Sequence, residues 1–246
     1  MKIIVNGAAG HMGKNLLTMI ESGCRGAELA ASVDAFAPGE DILASLDLFT
    51  GEADCIIDFS HHSTTKVLTD YAVKRNIPLV IATTGQTSEE QDMIEAAAKK
   101  IPLFASGNMS IGIALLTELA KTTARMFPDA DIEIVEAHHN RKIDVPSGTA
   151  LMLAKAVQEA RPDSELLIGR HENGRREKKQ IDIHSLRMGN TVGIHEVIVN
   201  TGSQIITLKH EAQDRSLFAE GALAAAQFLI GKKPGLYNVA DLVSEA

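Results

Sequence analysis

Lys2-Ile3-Ile4-Val5-Asn6-Gly7-Ala8-Ala9-Gly10-His11-Met12-Gly13 is the stretch that decides the fold. Residues 2–5 read as a short apolar strand. Glycines at 7, 10 and 13 separate it from a helical pattern through Leu16, Leu17, Met19 and Ile20. Glycines so placed allow a tight turn, close approach of the backbone to a pyrophosphate, and close helix–strand packing. The helix start that follows favours phosphate charge. Taken alone the triplet is only a tight turn. Its context adds Asp34, which closes the next strand (28–33) about 20 residues on, where a ribose-binding acid belongs. Dinucleotide binding is therefore expected, by Gly7, Ala8, Ala9, Gly10, His11, Met12, Gly13 and Asp34. Ala35-Phe36-Ala37-Pro38 carries no basic group. A carboxylate there would bind ribose hydroxyls and repel a 2′-phosphate, so NADH is expected over NADPH. His11 or Lys14 could still reach such a phosphate.

Working outward, strands at 55–59, 78–82 and 102–105 alternate with helices at 63–75 and 89–99, and a short apolar piece lies near 42–49. That order predicts a parallel sheet with helices on both faces. Thr83-Thr84-Gly85 and Ser106-Gly107-Asn108-Met109 follow strands at the carboxyl edge, where such sheets bind ligands. His61-His62 is read as solvated, and Asp54 and Asp58 as strand-end acids rather than catalysts.

The pattern then changes. Residues 111–127 form a long amphipathic helix closed by Pro128. Residues 132–136 alternate apolar and acidic, which predicts one wet face. A helix over 150–160 follows, then strands and turns from 166 to 210, with Asn200-Thr201-Gly202-Ser203 as a hairpin turn. Residues 216–229 are Ala-rich and helical. The fold class is α/β: an N-terminal Rossmann-type parallel-sheet domain and a second, α+β domain with a mixed open sheet. The charged stretch 170–179 is expected to be a solvated loop.

Between the acidic strand and the helix stands Glu136-Ala137-His138-His139-Asn140-Arg141-Lys142-Ile143-Asp144-Val145-Pro146-Ser147-Gly148-Thr149-Ala150. Imidazole is the side chain most easily poised to move a proton near neutral pH. Lys142 supplies a fixed positive charge for carboxylates. Ser147-Gly148-Thr149 brings hydroxyls and backbone N–H groups to a helix start. Each piece alone is ordinary. Together they describe a pocket for a small acidic molecule that is protonated during reaction.

The chain has 246 residues with a formal net charge of −8, against the basic surplus of general nucleic-acid binders. Aromatic residues are 4% with no Trp, which leaves little material for base stacking. No apolar run reaches transmembrane length, and the apolar start breaks off too early for a secretory signal. Cys24 and Cys55 are read as reduced and mostly buried in a cytoplasmic protein. No His, Cys or acid spacing suggests a metal site.

With these motifs in view, the chain resembles the 4-hydroxy-tetrahydrodipicolinate reductases, also called dihydrodipicolinate reductases, over essentially its whole length. The marks are residues 7–13, Thr83-Thr84-Gly85, Asn108-Met109-Ser110-Ile111-Gly112, residues 136–150 and Arg215-Ser216-Leu217-Phe218-Ala219-Glu220-Gly221-Ala222. The resemblance implies an NAD(P)H-dependent reductase of the diaminopimelate route to lysine. It implies a dinucleotide domain over 1–109 completed by 216–246, and a substrate-binding and tetramer-forming domain over 110–215. His138 then looks like the proton donor and Lys142 the second catalytic residue, with delivery by either left open. His139, Lys142, Ser147, Gly148, Thr149 and Thr84 look like substrate contacts. Ala82, Thr83, Thr84, Ser106, Gly107, Asn108, Met109, Arg215 and Phe218 join residues 7–13 and Asp34 as cofactor contacts. Ala82 stands where Gly is usual, and Met109 where Phe is usual. The competing readings are another nicotinamide enzyme, such as an aspartate or homoserine dehydrogenase, and a non-catalytic NAD-binding sensor.

Overall fold

Over residues 1–245, which the computed structural model describes, the apolar runs of the first half become parallel strands. In chain order the first half runs β1 (Lys2–Asn6), α1 (His11–Glu21), β2 (Glu28–Val33), β3 (Cys55–Asp58), α2 (Thr65–Arg75), β4 (Leu79–Ile81), α3 (Ser88–Ala98) and β5 (Pro102–Ala105). It continues with α4 (Ile111–Met126), β6 (Asp131–His138), α5 (Gly148–Ala160), β7 (Glu165–Ile168), β8 (Gln180–Arg187), β9 (Gly193–Asn200) and β10 (Ile205–Ala212). It closes with α6 (Ser216–Leu229), β11 (Gly235–Tyr237) and α7 (Val239–Ser244). Two compact units result: Met1–Ile111 with the segment from Arg215 onward, and Gly112–Asp214.

The first unit is a six-stranded sheet in the order β11-β5-β4-β3-β1-β2, parallel throughout. Strands β3 and β4 are buried at every position, because helices cover both faces. Leu68, Tyr71 and Ala72 of α2 and Ile94, Ala97 and Ala98 of α3 pack on Ile4, Ile56, Leu79, Ile81 and Leu103. Helices α1 and α6 pack against each other, and α6 lies on β3, β4 and β5. The Ala-rich composition of α6 has its reason here: most of its length is buried, so small side chains allow a close approach. At Gly221 a Cβ would lie 1.8 Å from the Met109 carbonyl oxygen. Chain order reverses between β1 and β3, the switch point at which such sheets open a ligand crevice.

The second unit is a five-stranded mixed sheet, β10-β9-β6-β8-β7, parallel at β6–β8 and β7–β8 and antiparallel at β6–β9 and β9–β10. The hairpin expected at residues 200–203 joins β9 to β10, with Gly202 at φ +88°. Ile132 and Ile134, Ile181 and Ile183, and Val197 and Val199 face one side, under α4 and α5.

Three readings from sequence need correction. The strand after α4 runs on to His138, and its acids split between faces: Glu133 is half-buried, whereas Glu136 is fully buried. Period two places Glu136 and His138 in phase with Ile132 and Ile134, so they continue the covered face. The 170–179 loop is exposed over most of its length, as expected, while two of its arginines reach back to acids of the sheet. Arg170 holds the buried Asp182 at 2.6 Å, and Arg176 holds Asp131 at 2.8 Å and Glu133 at 3.1 Å. His62 is half-buried on Glu90 at 2.9 Å. Cys55 is buried, but Cys24 is only half-buried. The apolar piece near 42–49 pairs Leu43 with Val33 and then makes a single 3-10 turn, Leu46–Leu48.

Candidate active site

In the first unit the glycine turn is tight because neighbouring backbone leaves no room for a Cβ at two of its positions. Gly7 has φ +82°, and a Cβ on it would lie 2.6 Å from the Phe59 carbonyl. At Gly13 a Cβ would lie 2.1 Å from the Gly7 oxygen and 2.7 Å from the Ala8 Cα. These atoms are backbone and cannot step aside. Gly10 is the N-cap of α1 and has no side chain to cap the first turn. The orphan N–H groups there suit an oxyanion. Gly7 and Ala8 donate their N–H groups to the Val33 carbonyl at 2.8 and 3.1 Å, which ties the turn to β2. The same elements place Asp34, 7% exposed, beside that turn. Its carboxylate accepts from the N–H groups of Ala9 at 3.1 Å and of Phe36 and Ala37 at 3.0 Å. Asp34 thus joins the glycine turn to the loop behind it.

Thr83 and Thr84 leave β4, and Ser106 and Gly107 leave β5, at one edge of the sheet. They line a cavity of about 440 Å³ together with Tyr237 and Asn238. The Ser106 hydroxyl donates to the Asn108 carbonyl at 2.7 Å, which shapes that turn. Met109 is buried, under Gly221 of α6. Arg215 is the N-cap of α6 and Phe218 lies in its first turn. Asp58, 2% exposed, accepts from Asn6 at 2.8 Å and from the Ser60 hydroxyl at 2.5 Å. Burial pushes its carboxyl above the usual range, so it is a structural acid under the turn.

A Gly13→Ala substitution is expected to cost ~1–3 kcal/mol through forced backbone movement. It should also abolish tight NADH binding, whereas Gly10→Ala, whose Cβ would meet only the Gly7 oxygen at 3.3 Å, should be mild for folding while weakening NADH, because glycine there lets the backbone approach the pyrophosphate. Thermal unfolding and NADH titration read both. A Gly13→Ala protein that binds NADH like the parent would remove this turn from the cofactor site.

The second unit gathers the other motif. Beyond its apolar half, the covered face of the sheet turns polar, and neighbouring strands bring Ser185, Glu136, His195 and His210 into register. One step further, Arg187 stands opposite His138. His138 is 9% exposed. Its Nδ1 lies 2.5 Å from Glu136 Oε2. The Arg187 guanidinium grips the same carboxylate with both arms, at 2.9 and 2.8 Å, and the Ser147 N–H donates to it at 3.1 Å. Burial works to raise the Glu136 carboxyl, but Arg187, Ser185, His138 and the Ser147 N–H outweigh it and bring it down to about 2. His195 meets the His138 ring edge-on at 5.1 Å and lies 3.3 Å from the Ser147 hydroxyl. Burial, then the neighbouring His138, pushes its imidazole down to about 4, so it is neutral near pH 7.

Ser147 caps α5 by accepting the Ala150 N–H at 3.2 Å. Gly148 and Thr149 begin the helix with no acidic residue in the first turn. His139 is half-buried, and its carbonyl accepts the Lys142 N–H at 3.1 Å. The Lys142 ammonium sits on Asp144 at 2.8 Å. At Gly193 a Cβ would stand 3.2 Å from His138 Nε2, so glycine there leaves that nitrogen room. Glu136, Arg187, Gly193 and His195 are residues of this site to which the sequence alone assigns no role. Glu136 alone carried a signal, its phase with Ile132 and Ile134.

On the opposite face Glu133, Asp182 and His184 bring three potential metal-ligand atoms within 4.8 Å of one another. Arg170 takes one oxygen of Asp182 and Arg176 one of Glu133, so the cluster carries an ion-pair network.

The family model for the dihydrodipicolinate reductase N-terminus matches residues 1–109, and that for the C-terminus matches 112–243. The chain belongs to the dihydrodipicolinate reductase family. Among the members, a 4-hydroxy-tetrahydrodipicolinate reductase of Caldanaerobacter subterraneus subsp. tengcongensis is 50% identical over 196 residues, 79% of this chain and 78% of its own length. That of Clostridium novyi is 38% identical over 98% of both chains. A dipicolinate-bound dihydrodipicolinate reductase from Paenisporosarcina sp. TG-14 shares the fold, with a TM-score of 0.81 over 98% of each chain at 23% identity.

Proposed function

We propose that the protein is a nicotinamide-dependent oxidoreductase of the diaminopimelate route to lysine, reducing 4-hydroxy-tetrahydrodipicolinate to tetrahydrodipicolinate. The observation that carries this reading is the match of both halves to a single reductase family. The dipicolinate bound by the Paenisporosarcina relative supports a small cyclic dicarboxylate as the substrate class.

The cofactor fits the residues present. Gly7 and Gly13 leave backbone space that any Cβ would fill, and the uncapped start of α1 suits a pyrophosphate. Residues 7–13 would hold the phosphates and Asp34 the adenosine ribose. Ala82, Thr83, Thr84 and Ser106 to Met109, with Arg215 and Phe218, would hold the nicotinamide end. When bound, the dinucleotide supplies the hydride. Lys142, the Ser147 and Thr149 hydroxyls and the Gly148 and Thr149 N–H groups would hold substrate carboxylates, with His139 beside them. His138 would carry the proton at Nε2. Lys142 would fix charge, because its ammonium already sits on Asp144. The outer face of the second sheet, with Leu186 49% and Ile205 65% exposed, would be covered in a cytoplasmic homotetramer, a mass that sedimentation reads directly.

Purified protein with freshly made substrate from the preceding synthase should oxidise NADH. It should oxidise NADPH with a lower kcat/KM, because a 2′-phosphate would face the Asp34 carboxylate with no cation in residues 35–38. No substrate-dependent oxidation of either cofactor, with NADH still bound, would overturn the proposed activity. A higher kcat/KM for NADPH would overturn only the cofactor preference.

A further inference from the structure

Glu136 and His138 are two residues apart on β6, so both side chains leave the same face of the strand. What surrounds the acid fixes it in place. Arg187 takes one oxygen with each arm, the Ser147 N–H takes Oε1 at 3.1 Å, and Oε2 faces His138 Nδ1 at 2.5 Å. Arg187 is itself anchored, donating to the carbonyls of Asp144 and Leu186 at 2.7 Å each. A carboxylate held by a guanidinium in a two-armed grip has no freedom to rotate.

The proton in the 2.5 Å contact then has one owner. An ionised carboxylate only accepts, so the hydrogen belongs to His138 Nδ1. In neutral imidazole one nitrogen donates and the other accepts, so Nε2 is left bare. That nitrogen lies on the side where Gly193 has no side chain. Because Arg187 already balances the charge of Glu136, the acid acts on His138 by direction first. His195, the second imidazole against His138, is turned toward the Ser147 hydroxyl.

We propose that Glu136, clamped by Arg187, is a positioning residue: it holds the Nδ1–H of His138 and so makes Nε2 the atom that takes up and releases the proton. The inference rests on the proton-carrying role proposed for His138, and it adds a residue that touches neither substrate nor cofactor.

Glu136→Gln keeps the shape and removes the obligatory acceptor, because an amide can turn its NH2 toward Nδ1 and favour the opposite tautomer. In protein labelled with ring-15N histidine, and with His138 assigned by its loss in H138Q, the parent should show the Nδ1–H tautomer. E136Q should show Nε2–H, with kcat lower on the order of 10²-fold or more, as when an orienting carboxylate becomes its amide. The NADH dissociation constant and the substrate KM should be nearly unchanged. Glu136→Asp keeps the charge and should keep the Nδ1–H tautomer with part of the turnover. E136Q with the parent's tautomer and kcat would overturn the proposal, and so would E136D as slow as E136Q, which would assign the loss to packing. Should E136Q fail to fold, the E136D and parent spectra decide, because an Nε2–H tautomer in either is incompatible with the proposal. Full turnover in H138Q would instead overturn the proton-carrier reading beneath it.

Discussion

His138→Gln is expected to lower kcat by ~10²–10⁴-fold, the range for a lost general acid, while NADH binds as it does to the parent. The amide fills much of the imidazole's space but cannot take up and release a proton near neutral pH. The change is local. The His138 carbonyl still accepts the Met188 N–H at 2.9 Å, so the end of β6 keeps its partner. The glycine turn lies in the other unit, so an unchanged NADH affinity shows that the cofactor site is intact, and an unchanged thermal unfolding profile separates lost chemistry from lost folding around residue 138. A turnover within a few-fold of the parent would move the proton to Lys142. The ion pair of Lys142 with Asp144 argues otherwise: that contact, more than any other, holds the Asp144 carboxyl below its usual range. An ammonium so engaged acts as fixed charge. Lys142→Met should therefore raise the substrate KM more than it lowers kcat, the signature of lost ground-state binding.

How far the chain can be read without coordinates depends on whether a signal is local. The glycine turn is legible because one stretch holds the strand, the turn and the helix start, and the close contacts at Gly13 are with residues 7 and 8 of the same stretch, whereas the contact of Gly7 with Phe59 has no local signal. The parallel sheet is legible because strands and helices alternate. The short β11 and α7 carry too few residues for a periodic signal. In residues 136–150 the side-chain types are visible but their partners are not. Arg187 meets Glu136 through the β6–β8 register, and His195 reaches the same acid through β6–β9, at separations where sequence gives no register. The alternation of 132–136 reads as one acidic face only if phase is ignored. Counted strictly, Glu136 falls with the isoleucines, where an acid must be paired or protonated. The charged loop at 170–179 is solvated as its composition suggests, but nothing local shows that two of its arginines reach back to acids of β6 and β8.

Arg187→Leu is expected to destabilise the protein by ~3–5 kcal/mol at pH 7, the cost of breaking a buried ion pair from one side. Glu136 is fully buried, and among the described residues Arg187 is the one permanently cationic side chain paired with it, since His138 is charged only when protonated. In the parent the Glu136 carboxyl is held near 2, below its unfolded value of 4.5. A depressed folded pKa means stability that is full above about 4.5 and lost as pH falls toward 2. At 1.36 kcal/mol per unit, that linkage is on the order of 3 kcal/mol. In the variant the sign of the environment reverses. Burial, no longer outweighed by the guanidinium, raises the carboxyl, and the folded state gains by protonating it. The gap between parent and variant should therefore be widest at pH 7–8 and narrow as pH falls below 5. Denaturation midpoints across that range, at one fixed protein concentration because assembly would add its own stabilisation, measure it. An equal gap at every pH would mean that Arg187 contributes packing alone. No gap at pH 7 would mean that the Glu136 carboxylate keeps its ionisation without the guanidinium, held by the N–H of Ser147 and by His138.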